Sequence, residues 1–480
     1  MKRQTIYKQK KKKHFLVKEG ITSTLAYQTI INSQIQHIKK DYGIFFTPEQ
    51  IVDFMISQID INRLTNKKEV NILEPACGLA QFLIGIKRNF PVIYKQAQIT
   101  GVEINENIIK YLNRLKLDNN INLIHSDYLL WQPKQKYDLI IGNPPYGIPS
   151  PSEHYTIKIN NTIKEKYKNI FETWYGKYNV YGAFIEKSIK LLNSDGQMIF
   201  IVPATFMILD EFKKLRHFLS KNGKTIIIYM GPEIFKPEAD ITSVVIVFHK
   251  SEKLTHNLIL LEYTRLPKRS GGQEENKSYP IKVNRNWQGE VITFETEHTK
   301  SLESMCSYSL GNVYEIKISP RTPEIKHNTN VIKEDKENDN NYLPILNGRN
   351  LKCNRIIYKN LTGYWIKKTK LNKFRGYSNI PHIVIGLGFR ENGKIGAAYD
   401  EKCYPWMGDV YHIFKKYDLF NTGFDLSDPE VTEYLNSEYV RKYIKDTYRE
   451  ITYHLSITQL KNIPLPTKSE WNKIKNGGIL

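Results

Sequence analysis

DLIIGNPPY, residues 138–146, is an apolar run that stops on an asparagine, two prolines and a tyrosine. The run lacks the period-two alternation of a half-solvated strand, as expected where both faces are covered. The prolines fix φ and carry no N–H, so pairing ends there. Moving outward, VNIL (70–73), ITGVEI (99–104), NLIHSD (122–127), QMIFIV (197–202) and TIIIYM (225–230) have the same texture, and ITSVVIVFHK (241–250) adds a closing strand. Helix-like stretches at 47–59, 104–116, 180–192 and 210–220 lie between them. This alternation predicts an α/β fold, a doubly wound and mostly parallel sheet over residues 41–250. Such sheets bind ligands at the carboxyl ends of their strands, where the Asn-Pro-Pro-Tyr turn falls.

On either side the texture differs. Residues 1–40, with Lys10 to Lys13, read as a basic, partly helical arm. Beyond 250, PKRSGGQEENKSYP (267–280) reads as a linker or surface loop, and 326–341 as a charged, Asn-rich loop. Short aromatic and basic segments follow, such as GYWIKK (363–368), HIVIGLGF (382–389) and KIGAAYD (394–400), and a helical pattern returns at 428–448. Residues 251–480 are therefore expected to form a separate α+β domain.

Lys and Arg total 70 against 49 Asp and Glu, a formal charge of +21. A surplus of this size favours a polyanionic partner, nucleic acid before an anionic membrane surface. A Lys-, Asn- and Ile-rich composition of AT-rich coding would raise it too, so charge alone names no function. Aromatic residues at 12% and hydrophobic residues at 40% exclude a disordered chain. Cys77, Cys306, Cys353 and Cys403 form no CxxC pair. Neither a disulfide framework nor a metal site is expected, in keeping with a reducing cytoplasm. No apolar run approaches the ~18 residues of a membrane helix. GFRENGKI (388–395) nearly spells a phosphate-binding loop, but it lacks the Ser or Thr after Lys394.

The turn at 143–146 suits a definite chemistry. The N6 amino group of adenine is a weak nucleophile because its lone pair is delocalised into the ring. Two acceptors facing its two N–H bonds favour a more tetrahedral nitrogen with an available lone pair. The Asn143 side-chain oxygen and the Pro144 carbonyl can supply them, Pro145 stiffens the turn, and Tyr146 can stack on a purine face. Catalysis would rest on positioning and electrostatics rather than a strong base. The bland alternative is a simple turn leaving a strand.

Three further segments precede it in order. ILEPACG (72–78) is a strand entering a tight turn: Gly78 allows close backbone approach, and Glu74 can face an α-amino group. Glu103 follows Gly78 by 25 residues, the spacing of a carboxylate that accepts from ribose hydroxyls, or it caps the next helix. Asp127 and Tyr128 can hold an adenine amino group and ring, or serve as a turn cap and a core aromatic.

Together, FTPEQIVDFM (46–55), LEPACG, GVEIN, SDYLLW (126–131) and NPPYG resemble the γ-class amino-methyltransferases, and most closely the TaqI-type adenine-N6 DNA methyltransferases. GKYNVYGAFIEKSIKLL (176–192), IVPATFMILDEF (201–212), PILNGRNLK (344–352), AAYDEKCYPW (397–406) and 435–460 extend the resemblance over about 40 to 465. It implies a catalytic domain and a target-recognition domain flanking a basic DNA cleft. It implies S-adenosylmethionine as cofactor, with Thr47, Glu74, Ala76, Cys77, Gly78, Glu103, Asp127, Tyr128 and Phe184 near it. It places Asn143, Pro144, Pro145 and Tyr146 at the catalytic position and Phe235 against a flipped target adenine, a residue otherwise read as a core phenylalanine. Double-stranded DNA, a cognate restriction endonuclease sharing a target such as TCGA, and a monomeric state are further expectations. After Gly78 the chain reads Leu79-Ala80-Gln81 where relatives often carry another glycine. Two other readings stay open: a methyltransferase of RNA adenine or of a protein glutamine amide, and a DNA-binding module whose catalysis has decayed.

Overall fold

The computed structural model describes residues 47–477 apart from 116, 152–156, 238, 252–256, 267–274, 391–392, 417–422 and 453. The expected basic arm, 1–40, lies outside the described residues. The strands of the first part of the chain are β1 (Val70–Glu74), β2 (Ala97–Glu103), β3 (Ile121–His125), β4 (Tyr137–Gly142), the two-residue β5 (Pro149–Ser150) and β6 (Ile157–Lys158), β7 (Leu192–Pro203), β8 (Gly223–Gly231), β9 (Ser243–Lys250), β10 (Leu258–Leu266) and β11 (Glu275–Asn284). Nine of them form one sheet in the order β11-β10-β8-β9-β7-β4-β1-β2-β3. β4, β1, β2, β3 and β7 pair in parallel, as do β8 and β10. β9 runs antiparallel between β7 and β8.

The apolar run that opened the reading sits at the centre. Leu139, Ile140 and Ile141 are fully buried, each worth roughly 1.5–3 kcal/mol of transfer from water. Asp138, the polar residue within it, is satisfied: Oδ1 meets Lys67 Nζ at 2.7 Å, and Oδ2 accepts the Asn71 N–H at 2.8 Å. Strand order reverses between β4 and β1, so the carboxyl ends of β1, β2, β3 and β4 open onto one crevice.

The helices are α1 (Glu49–Ile56), α2 (Ile61–Thr65), α3 (Gln81–Asn89), α4 (Pro91–Gln96), α5 (Glu106–Arg114), α6 (Asn161–Ile170), α7 (Tyr181–Leu191) and α8 (Lys213–Asn222). α5 starts where Asn105 accepts from the N–H groups of Asn107 and Ile108, and it buries Ile108, Ile109 and Leu112. α1 and α3 touch through Gly85, where a Cβ would stand 2.4 Å from Ile56 Cδ1. That contact fixes the later residues of α1 against α3, the helix that follows the turn after β1.

The chain divides into two compact units, one ending at Ile292 and the other beginning at Thr293. The sequence reading puts the division after 250, but the sheet continues. β10 pairs with β8 and β11 with β10, so residues 275–280, read as loop, are strand. Pro280 falls beside a register shift at Leu260/Leu261, on an edge strand where a missing N–H is tolerated.

The second unit is α+β. Its four-stranded antiparallel sheet runs Tyr314–Ile318, Val410–Lys415, His382–Gly386, Ala397–Asp400. The expected helical pattern at 428–448 forms two helices, Asp428–Leu435 and Glu438–Tyr448, because Ser437 caps a new start by accepting from the Val440 N–H. Asp400, fully buried, accepts from Trp406 Nε1 at 2.7 Å and from the Tyr358 hydroxyl at 2.9 Å. Among the described residues no helix is long and apolar enough to cross a membrane.

Candidate active site

The crevice at the strand ends is a cavity. All nine residues expected near the cofactor line it: Thr47, Glu74, Ala76, Cys77, Gly78, Glu103, Asp127, Tyr128 and Phe184. Asn143 and Pro145 also line it, whereas Pro144, Tyr146 and Phe235 are not part of its wall. Gln81, Ser126, Ile157–Ile159, Tyr167 and Val180 complete much of the rest.

The turn after β1 is set by backbone geometry. Cys77 N–H donates to the Val102 carbonyl at 2.9 Å, and Gly101 leaves room for the thiol: a Cβ there would lie 3.2 Å from Cys77 Sγ. Gly78 and Ala80 both have positive φ, 47° and 58°. Ala80 thus occupies the left-handed conformation in which the expected glycine would be unstrained.

Glu103 is 6% exposed and accepts two backbone N–H groups, Gly78 on Oε2 at 2.9 Å and Asn105 on Oε1 at 2.8 Å. Burial raises its carboxyl, against the lowering pull of those bonds. The cap of α5 is Asn105, not Glu103, so the carboxylate is directed to the turn and cavity instead. Glu74 is 2% exposed, and its Oε2 has no hydrogen-bond partner. Burial pushes its carboxyl well above the usual range. Leu83 and Phe82 N–H groups pull the other way, and nearby Glu103 adds to the rise. Gln81 Nε2, also buried, is a donor without a partner. An acceptor and a donor left unsatisfied together cost on the order of 1–3 kcal/mol each, a cost that a zwitterionic ligand removes.

At the far end, Asp127 Oδ1 accepts the Leu129 N–H at 2.9 Å, so it does cap a turn, and Oδ2 accepts from the Tyr167 hydroxyl at 2.7 Å. Tyr128 is a buried aromatic as well as a wall residue: its ring lies 4.9 Å from that of Phe184, and its hydroxyl is 2.9 Å from Ser188 Oγ. Lys187 Nζ donates to the carbonyls of Leu129 and Trp131, tying this turn to α7. Burial lowers its ammonium to about 8.

Asn143 leaves the end of β4. Its Nδ2 donates to Thr47 Oγ1 at 3.0 Å, and the Tyr146 hydroxyl donates to its Oδ1. The same hydroxyl lies 2.9 Å from the Ile201 carbonyl. Burial carries this phenol well above its ordinary range. The Tyr146 and Phe235 rings meet edge to face, centroids 6.1 Å apart, and each is 4% exposed. The two rings expected to flank a base therefore touch each other. Sequence reading missed Tyr167 and Gln81. Gln81 is marked only by an unusual residue after the glycine turn, and Tyr167 by nothing local.

Residues 53–235 match the family model of the Eco57I restriction-modification methylase, and residues 343–465 match the TaqI-like C-terminal specificity domain. The Type II methyltransferase M.TthHB8I of Thermus thermophilus is 35% identical over 441 residues, 91% of this chain and 94% of that protein. The modification methylase CviBIII of Paramecium bursaria Chlorella virus NC1A is 31% identical over 168 residues, 35% of this chain and 39% of that one. Among solved structures, the Type IIL restriction-modification enzyme MmeI superposes with TM-score 0.56 at 13% identity, covering 91% of this chain and 70% of that chain. The Type ISP restriction-modification enzyme LlaGI superposes with TM-score 0.53 at 15% identity, covering 94% and 48%. These two share the fold.

The cofactor is S-adenosylmethionine. The cavity fits it. The unpartnered Glu74 oxygen suits an ammonium and Gln81 Nε2 a carboxylate, while Tyr128 and Phe184 offer aromatic faces to a purine. With a relative 35% identical along nine-tenths of both chains, a restriction-modification methylase model matching the first part and a specificity-domain model matching the second, this chain belongs to the Type II methyltransferases.

Proposed function

We propose that the protein is a site-specific DNA methyltransferase that methylates adenine N6 within a short duplex sequence, with the target base turned out of the helix. The observation that carries this reading is the Asn143 amide: it ends β4, opens a Pro-Pro-Tyr turn, and lines the same cavity as Glu74 and Glu103. S-adenosylmethionine supplies an electrophilic methyl carbon on a sulfonium. In this reading the Asn143 Oδ1 and the Pro144 carbonyl accept the two N–H bonds of the target amine and free its lone pair. A main-chain acceptor flanked by prolines has no neighbouring N–H competing for it. After transfer the surplus proton leaves from a cationic amine, so no strong base is required.

Tyr146 and Phe235 are proposed to form the pocket for the extruded base. Their edge-to-face contact supports a pocket that closes on itself when no base is present. Thr47, Glu74, Ala76, Cys77, Gly78, Glu103, Asp127, Tyr128 and Phe184 are proposed to hold the cofactor. Duplex DNA is the proposed substrate, in keeping with a charge of +21 and a specificity domain, and the protein is proposed to act as a monomer beside an endonuclease with the same target.

The test is to incubate the purified protein with unmethylated plasmid and S-adenosylmethionine, then map N6-methyladenine by modification-sensitive sequencing. Methylation at one short motif is expected, and TCGA would agree with the TaqI-type resemblance. No DNA methylation with cofactor binding intact would move the substrate to RNA or a protein amide. Failure to bind the cofactor would point to a decayed module.

A further inference from the structure

Thr47 and Asn143 are 96 residues apart, yet the threonine oxygen accepts a hydrogen bond from Asn143 Nδ2 at 3.0 Å. Thr47 is 1% exposed and precedes Pro48, the N-cap of α1, a helix that packs through Val52 and Ile56 against Gly85 of α3. Its position is therefore set by a helix pair, independently of the strand that carries Asn143. At the other end of the amide, the Tyr146 hydroxyl donates to Oδ1. That hydroxyl has one proton and a second acceptor within reach, the Ile201 carbonyl, so it does not by itself fix the amide.

An amide has two ends of nearly equal size, and only the oxygen end can accept from an amine. Donation from Nδ2 also polarises the amide and makes its oxygen a better acceptor, since linked hydrogen bonds reinforce one another in a low-dielectric site. We propose that Thr47 is a positioning residue for Asn143: it holds the Nδ2 end and so presents Oδ1 to the reacting amine. This rests on the proposed amino-group methylation and adds a role beyond the cofactor contact expected of Thr47.

The experiment compares Thr47→Val, which keeps shape and loses the acceptor, with Thr47→Ser, which keeps it. Single-turnover methyl transfer to DNA is measured at saturating S-adenosylmethionine, and cofactor affinity by calorimetry. The expected result for Thr47→Val is a rate loss on the order of ten- to a hundredfold at saturating cofactor, larger than any loss of cofactor affinity, and most of the rate restored in Thr47→Ser. In an Asn143→Ala background, Thr47→Val should have no further effect on the residual rate. A wild-type rate in Thr47→Val, or a loss confined to cofactor affinity, would overturn the proposal. An additive loss in the Asn143→Ala background would do the same. If Thr47→Val does not fold, Thr47→Ala combined with Thr47→Ser decides on the same readouts. Absence of transfer by the wild-type protein would instead defeat the adenine reading, and this inference with it.

Discussion

The Tyr167 hydroxyl donates to Asp127 Oδ2 across 2.7 Å, joining α6 to the turn that follows β3. Both residues line the cavity, so the carboxylate expected to receive an adenine amino group is oriented by a side chain 40 residues away. Tyr167→Phe removes one charge-assisted hydrogen bond. It should weaken S-adenosylmethionine roughly three- to thirtyfold and lower affinity more than kcat. Calorimetric titration checks this, and an unchanged Kd would show that Asp127 is held well enough by the Leu129 N–H alone.

Cofactor binding should release protons. Glu74 is raised well above the ordinary carboxylate range by burial, and an ammonium at its unpartnered oxygen favours the ionised form. Affinity should therefore rise with pH through the raised Glu74 range. Titrations in buffers of different ionisation enthalpy report the proton count. In Glu74→Gln, which has no proton to lose, the release should vanish and affinity should fall.

Ala80 carries a φ of 58°, which costs an L-residue about 1–2 kcal/mol relative to a glycine free to adopt it. Ala80→Gly removes that strain and adds unfolded-chain entropy, so the net gain should be up to about 1 kcal/mol. Urea unfolding would detect it as a higher midpoint at constant m. A lower midpoint would mean that the lost methyl packing outweighs the strain at this buried position.

Acid should destabilise the protein through buried histidines. Burial lowers His249 to about 4, aided by Arg63 and Lys224, and lowers His412 to about 3 beside His382. A folded pKa below the unfolded value near 6.5 means stability that is complete above that pH and lost as pH falls toward 4 and then 3. For His249 the full loss is on the order of 3 kcal/mol. His249→Gln should flatten the upper part of the acid limb in thermal melts from pH 7 to 4, and an unaltered limb would assign the acid sensitivity to other groups.

Asn143→Ala should lower methyl transfer by at least about a hundredfold, the scale for losing an acceptor that acts in the transition state, while cofactor affinity stays within a few-fold. Transfer at the wild-type rate would remove Asn143 from the mechanism.

Much of this was legible in the chain itself. The unbroken apolar runs specified strands buried on both faces, except at 122–127, where β3 is an edge strand with partly exposed residues because no described strand pairs beyond it in the sheet. Their alternation with helices specified the doubly wound sheet. The residues closing those strands, Glu74, Glu103, Asp127 and Asn143, fell on one edge because parallel strands end on the same side. What the sequence could not specify was partnership. Periodicity records how deeply a residue is buried, not what it meets. Tyr167 on Asp127 and Thr47 on Asn143 depend on where α6 and α1 dock. The contact of Tyr146 with Phe235 depends on the turn between β8 and β9. The residues at 275–280 read as loop because a polar edge strand differs from a loop only in having a neighbour to pair with, and β10 is that neighbour.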